Sequence, residues 1–193
     1  MPEPNITVCM PTIPERAALR AEAIASLEIS THPILFLQGE DTQHNGVVPT
    51  MNALGNCVTT DWLFGLGDDD LVDPDHFEVL SYWLDDDADI VYTWCRVEGA
   101  GEPDQFQVRW QTHEIGWDYL RIANFIPASA AIRTDLWHEL GGYREPDWTE
   151  HEDWDFWVRA LDAGARFRCV PAVTWTYRLN ADWQHLSTER NAR

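Results

Sequence analysis

The chain has 193 residues, 45% of them hydrophobic, with 13 basic against 33 acidic side chains and a formal charge of −20. That length and apolar content suit one domain, residues 1–193, with a real core, and exclude a disordered chain. So acidic a chain repels a phosphate backbone, which argues against tight, direct duplex binding, and a polyanionic ligand would need a cation to bridge it. No apolar run is long enough to span a bilayer, so no transmembrane segment is expected. The start, Met1-Pro2-Glu3-Pro4-Asn5, lacks the basic and small-residue features of a signal peptide, so the expected location is cytoplasmic. Cys9, Cys57, Cys95 and Cys169 are too scattered for a zinc site and read as four buried thiols.

Strand-like runs recur at Ile6–Met10, Ile34–Leu37, Trp62–Leu66, Asp89–Trp94 and Ser129–Ile132. Helix-like stretches fall between or after them, at Glu15–Ile29, Thr50–Val58, Asp75–Leu84, Thr134–Leu140 and Glu152–Ala163. Alternation of this kind predicts an α/β fold, a mostly parallel sheet flanked by helices. Ligands in such sheets bind beyond the carboxyl ends of the strands. Asp85-Asp86-Asp87 reads as a solvated turn, and Gly99–Asp104 as an exposed loop.

The first strand runs through Pro11 into Thr12-Ile13-Pro14-Glu15-Arg16. Thr12 and Glu15 have capping-box spacing, and Pro14 suits the first helical position. A helix start at a strand's carboxyl end also suits an anion, with Arg16 as a phosphate ligand or a surface charge. The third strand stops at a glycine and delivers Gly67-Asp68-Asp69-Asp70. Three adjacent carboxylates repel one another unless a cation or solvent relieves them, and hard oxygen ligands are what Mg²⁺ or Mn²⁺ accept. A solvated acidic turn is the competing reading, disfavoured directly after a buried-looking strand. Asp73 and Pro74 read as the N-cap and first residue of the next helix.

Trp154, Trp157, Val158 and Leu161 fall on one face of a helix, with Gly164 as its stop. Glu152 and Asp153 then occupy its first turn. The helix dipole alone accounts for acids there, while a general base drawing a proton from a sugar hydroxyl is the functional reading. Trp148 suits stacking on a sugar ring or simple loop packing.

In order and spacing these segments resemble the family 2 glycosyltransferases, of GT-A (nucleotide-diphospho-sugar transferase-like) fold. The resemblance runs from about Ile6 to about His185. It is carried by Pro11-Thr12 with Arg16, by Gly46 and Asn52, by Leu66–Pro74, by Leu140-Gly141-Gly142-Tyr143, and by Glu152-Asp153 through Arg159 and Gly164. It implies an inverting enzyme that moves a sugar from a nucleotide-diphosphate donor, a UDP-sugar, to an acceptor hydroxyl, with Mn²⁺ or Mg²⁺ as cofactor. By the same resemblance Pro11, Thr12, Arg16, Asp41, Asn52 and Asp68 contact the donor. Asp68, Asp69, Asp70 and His185 serve the metal. Asp153 is the base, with Glu152 in reserve. If Pro74 sets the register, Gly67 stands where the first acid of the Asp-x-Asp motif belongs. The metal then falls to Asp69 and Asp70, or to Asp68 and Asp70 after a one-residue slip. The acceptor class stays open among glycan, protein and modified nucleobase. The competing functions are a nucleotidyltransferase, which needs a basic residue to stabilise a phosphoryl group, and a carbohydrate-binding protein without turnover on a degenerate transferase fold.

Overall fold

The computed structural model describes residues 5–85, 87–99, 116–146 and 151–179. Among these residues seven strands form one sheet: β1 (Ile6–Thr12), β2 (Leu35–Glu40), β3 (Trp62–Gly65), β4 (Leu71–Val72), β5 (Ile90–Glu98), β6 (Ala131–Arg133) and β7 (Phe167–Arg178). Their order is β2-β1-β3-β6-β5-β7-β4. Strands β1, β2, β3, β5 and β7 run one way, and β4 and β6 run against them. Five α-helices among the described residues cover the faces: α1 (Ala17–Glu28), α2 (Val47–Gly55), α3 (His76–Ser81), α4 (Thr134–Leu140) and α5 (Glu152–Asp162). None is long and apolar enough to cross a membrane.

Strand periodicity divides the core in two. Ile6, Val8, Met10, Trp62, Phe64 and Val91 pack with residues of α1 and α3 on one face. Cys9, Leu63, Ile90 and Tyr92 pack with α2, α4 and α5 on the other. Both faces of β1 are therefore closed, which fixes its register against β2 and β3. His76 of α3 is fully buried beside Phe64 and Phe77. Its Nδ1 lies 2.7 Å from Thr174 Oγ1, which in turn lies 2.8 Å from Thr93 Oγ1. Burial pushes its pKa down to about 3, so it packs as a neutral ring.

Several sequence expectations shift. The second helix begins at Val47 and not Thr50, because Pro49 fits inside a first turn. The third begins at His76, so Asp73 and Pro74 precede it and are not its cap. Asp73 instead pairs with Arg96. The long first helix splits into a 3-10 turn, Pro14–Arg16, and α1. Strand β7 is the longest in the sheet and was not expected at all. Pro171 and a register shift against Thr93–Cys95 break its alternation, so it carries no clean period of two. The thiols also differ from expectation: Cys9 and Cys95 are buried, Cys169 is half-buried and Cys57 is exposed.

Candidate functional site

The carboxyl ends of β1, β2 and β3 lie side by side, at Thr12, Glu40 and Gly65. Beyond them three adjacent carboxylates gather with Arg16. Asp68, Asp69 and Asp70 are all buried, 3%, 8% and 5% exposed. The solvated acidic turn is therefore not what forms, and the three side chains do different work.

Asp68 is an internal counter-ion. Thr12 donates its hydroxyl to Asp68 Oδ2 at 2.6 Å, and Arg16 Nη1 donates to Oδ1 at 2.7 Å. Arg16 also reaches Asp69 Oδ2 at 3.4 Å. Thr12 is thus turned into the site, and the capping box expected for it does not form: the 3-10 turn has no side-chain cap. Burial works against the Arg16 charge, but the hydrogen bond and charge of Asp68, with Asp69 and Asp70 behind it, hold the guanidinium more firmly protonated than usual.

Asp69 and Asp70 face a gap. A Cβ placed on Gly67 would stand 2.9 Å from Asp69 Oδ1 and 3.1 Å from Asp70 Oδ2. Two carboxylate oxygens therefore converge on the space that a side chain at position 67 would fill. Burial pushes the Asp70 carboxyl well above the usual carboxylate range, and the Asp69 charge adds to this. Among the described residues no group of three or more His, Cys, Asp and Glu side chains is placed to hold a metal ion.

Asp41, at the end of β2, accepts the Gly46 N–H at 2.7 Å and the Gln43 N–H at 3.2 Å. The Gly46 N–H, then those of Asn45 and Gln43, hold its carboxyl below the usual range. It shapes the loop that opens α2. Asn52 is likewise committed to the backbone. Its Nδ2 donates to Tyr143 O and its Oδ1 accepts the Tyr143 N–H, both at 2.8 Å. That two-way clasp joins α2 to the turn after α4. Gly142 sits in the turn at φ 70°, and a Cβ there would meet Asn52 Oδ1 at 2.4 Å. Gly142→Ala is expected to cost about 2 kcal/mol from the left-handed backbone and the broken clasp. In a domain of this size that lowers the thermal midpoint by roughly 4–8 °C. An unchanged midpoint by circular dichroism would show that the clasp bears no strain.

The acid pair opens α5. Because α5 leads through a short turn into the start of β7, its own start lies toward the carboxyl edge of the sheet. Asp153 Oδ1 accepts the Trp154 N–H at 2.7 Å, and Oδ2 accepts from Asn124 Nδ2 at 3.2 Å. Burial raises the Asp153 carboxyl, against the lowering by those two donors. Burial also raises Glu152, with Asp153 adding repulsion. The Tyr143 phenol is pushed well above its ordinary value by burial and then by the Asp153 and Glu152 charges, so the clasped turn stands beside the acids.

The periodicity did not single out Asp155, which is 1% exposed. Arg144 grips it with two hydrogen bonds of 2.8 Å, and Arg159 adds one of 2.7 Å. Arg159 then reaches Leu140 O at 2.8 Å and Gly142 O at 2.7 Å, capping the end of α4. The spacing of Asp155 and Arg159, four apart on one helix, was the available signal. Trp148 and His185 lie outside the described residues, and Pro11 is part of β1.

All 13 basic residues are arginine. Every arginine among the described residues pairs with a carboxylate.

No family model matches this sequence, and no curated protein does. Solved structures match it by fold. S. aureus TarS 1–349 in complex with UDP-GlcNAc superimposes with a TM-score of 0.73 at 13% identity, over 91% of this chain and 59% of that one. The same protein in complex with UDP gives 0.70 at 13%, over 92% and 61%. The mannosyltransferase PcManGT from Pyrobaculum calidifontis, in complex with GDP-Man and Mn²⁺, gives 0.68 at 18%, over 100% and 62%. The chain thus spans about three fifths of the length of the structures it matches. At such identities the likeness is one of fold: an α/β architecture shared with GT-A-type glycosyltransferases that bind nucleotide sugars.

Proposed function

We propose that the protein is an inverting glycosyltransferase that moves a sugar from a nucleotide-diphosphate donor to an acceptor hydroxyl with the help of a divalent cation. The observation that carries this reading is the pair of buried carboxylates, Asp69 and Asp70, converging on the gap at Gly67 in a fold of nucleotide-sugar transferases. Their donor set fits Mn²⁺ or Mg²⁺. Such ions take one or two carboxylates and leave the remaining positions to substrate phosphates and water. Asp69 and Asp70 would hold the ion, and Asp68, occupied by Thr12 and Arg16, would support them from behind. When bound, the ion neutralises charge building on the diphosphate leaving group. The arginine pairing supports the same need, because an acidic chain whose described cations are internally matched has little to offer a diphosphate.

The chain's own part is to bind and orient. Thr12 and the 3-10 turn border the nucleotide, with the loop that Asp41 shapes on the other side. Asp153 takes the proton of the acceptor hydroxyl as its oxygen attacks the anomeric carbon from the face opposite the diphosphate, and that direct displacement inverts the centre. Tyr143, clasped by Asn52, walls the acid pair. The donor reads as a UDP-sugar.

The test is thermal unfolding of the full chain with nucleoside diphosphates and nucleotide sugars, with and without Mn²⁺. A ligand at a hundredfold excess over Kd adds about 2.7 kcal/mol to the native state. A rise that requires Mn²⁺, follows one nucleobase and is lost in Asp70→Asn is the expected result. No rise with any nucleotide in either condition would sink the donor site. Release of pyrophosphate in place of nucleoside diphosphate would move the protein to the nucleotidyltransferases.

A further inference from the structure

We propose that Arg178 is a positioning residue for the metal-binding carboxylates: it clasps the Asp69–Asp70 turn to the end of β7 and to α1. The inference rests on the donor-site reading above. Arg178 is the last residue of β7 and lies more than a hundred positions beyond the aspartates it touches. Its backbone N–H donates to Asp70 Oδ1 at 3.1 Å. Its Nε donates to the main-chain oxygen of Asp69, and its Nη1 pairs with Glu22 of α1. One residue thus fixes the rotation of the Asp70 carboxylate, the path of the Asp69 backbone and the distance of the turn from α1. With Asp70 Oδ1 held by β7, Oδ2 is the oxygen left facing the Gly67 gap beside Asp69 Oδ1.

The cost of the arrangement points the same way. The Arg178 side chain is only 13% exposed, and its Nη2 is closed off from solvent without a hydrogen-bond partner among the described residues. A buried guanidinium with an unmatched N–H group is destabilising, and an apolar residue packed at the end of a strand would avoid that loss. A sequence keeps such a group where geometry matters more than stability. Groups that orient metal ligands typically change metal affinity 10–100-fold when they are removed.

A positioning role and a pure charge effect make opposite predictions. A positive charge close to the carboxylates repels a cation, so if Arg178 acted by charge alone, Arg178→Met would tighten Mn²⁺ binding. As a clasp, loss of the side chain frees the Asp69 main chain and α1, while the main-chain donor to Asp70 stays, and Mn²⁺ binding loosens. The decisive variant is Arg178→Lys, which keeps the charge and loses the planar fork. Mn²⁺ is titrated into the full chain and the paramagnetic resonance of free Mn²⁺ is followed, with thermal midpoints recorded alongside. Arg178→Lys and Arg178→Met are expected to bind Mn²⁺ roughly 10–100-fold more weakly than the parent. Glu22→Gln, at an exposed position that leaves the core untouched, shifts the same way by a smaller factor and serves if the Arg178 variants fail to fold. Parent-like binding by folded Arg178→Lys, or tighter binding by Arg178→Met, overturns the clasp alone. Absence of Mn²⁺ binding in the parent chain overturns the donor-site reading, and the clasp with it.

Discussion

Replacing Asp153 with asparagine is expected to lower kcat by about 10²–10⁴-fold while leaving donor binding unchanged, because the substitution keeps the shape and removes the base. Asparagine still accepts the Trp154 N–H that positions the side chain. The pH behaviour follows from burial. The folded carboxyl holds its proton above the usual carboxylate range, so activity should fall as pH drops through that raised value. Stability runs the other way. Between the ordinary range and the raised value the folded state binds more protons at this site than the unfolded chain, so its contribution declines as pH rises across that window. The asparagine variant lacks this decline, so its thermal midpoint should be flat across that window, offset by the lost hydrogen bond from Asn124 Nδ2. Steady-state kinetics with separate nucleotide affinities would check the first part, and thermal midpoints across pH the second. If kcat stays within about tenfold, the proton passes to another group, with Glu152 next in line.

Asp155→Ala should be the most damaging single change to stability among the contacts that join α4 to α5. It strips a buried carboxylate from two arginines and unties the end of α4 from α5. Removing one partner of a buried pair costs about 3–5 kcal/mol. Arg144 is 58% exposed and can return to water, which places the expected loss near 3 kcal/mol. That corresponds to a fall of roughly 6–12 °C in the thermal midpoint. Double-mutant cycles with Arg144→Ala and Arg159→Ala would apportion it, with the larger coupling expected for Arg159, the less exposed partner. A loss under about 1 kcal/mol would mean that the network is ornamental to the fold.

The sequence made the alternation of strands and helices legible because β1, β3 and β5 are apolar runs closed on both faces. It made the acidic turn legible because three charges directly after such a run have few explanations. The partition of labour among those charges was not legible. Thr12 fits a helix cap by spacing, and only the approach of β1 to the turn after β3 shows that its hydroxyl serves Asp68. The resemblance offers Asn52 as a donor contact by its spacing from Gly46, and Asp41 as a substitute in a segment that departs from the family's pattern. Both spend their polar atoms on backbone, Asn52 across 91 positions and Asp41 on the loop that follows it. Strand β7 and its terminal arginine were hidden for the same reason. Their meaning lies in partners far away in the chain, and no local window contains them.

The sheet order has a consequence for how the protein comes into being. Among the described strands β7 lies between β5 and β4, so the two-residue strand after the acidic turn has no sheet partner there until β7 is made. The main-chain donor to Asp70 arrives with the same strand. During synthesis from the amino end, the aspartates emerge early and wait, exposed, for a segment made much later. A fragment ending before Phe167 would carry the acidic motif intact and yet lack the strand that gives it shape. The acidic turn thus takes its final shape only once β7 has been made and has paired.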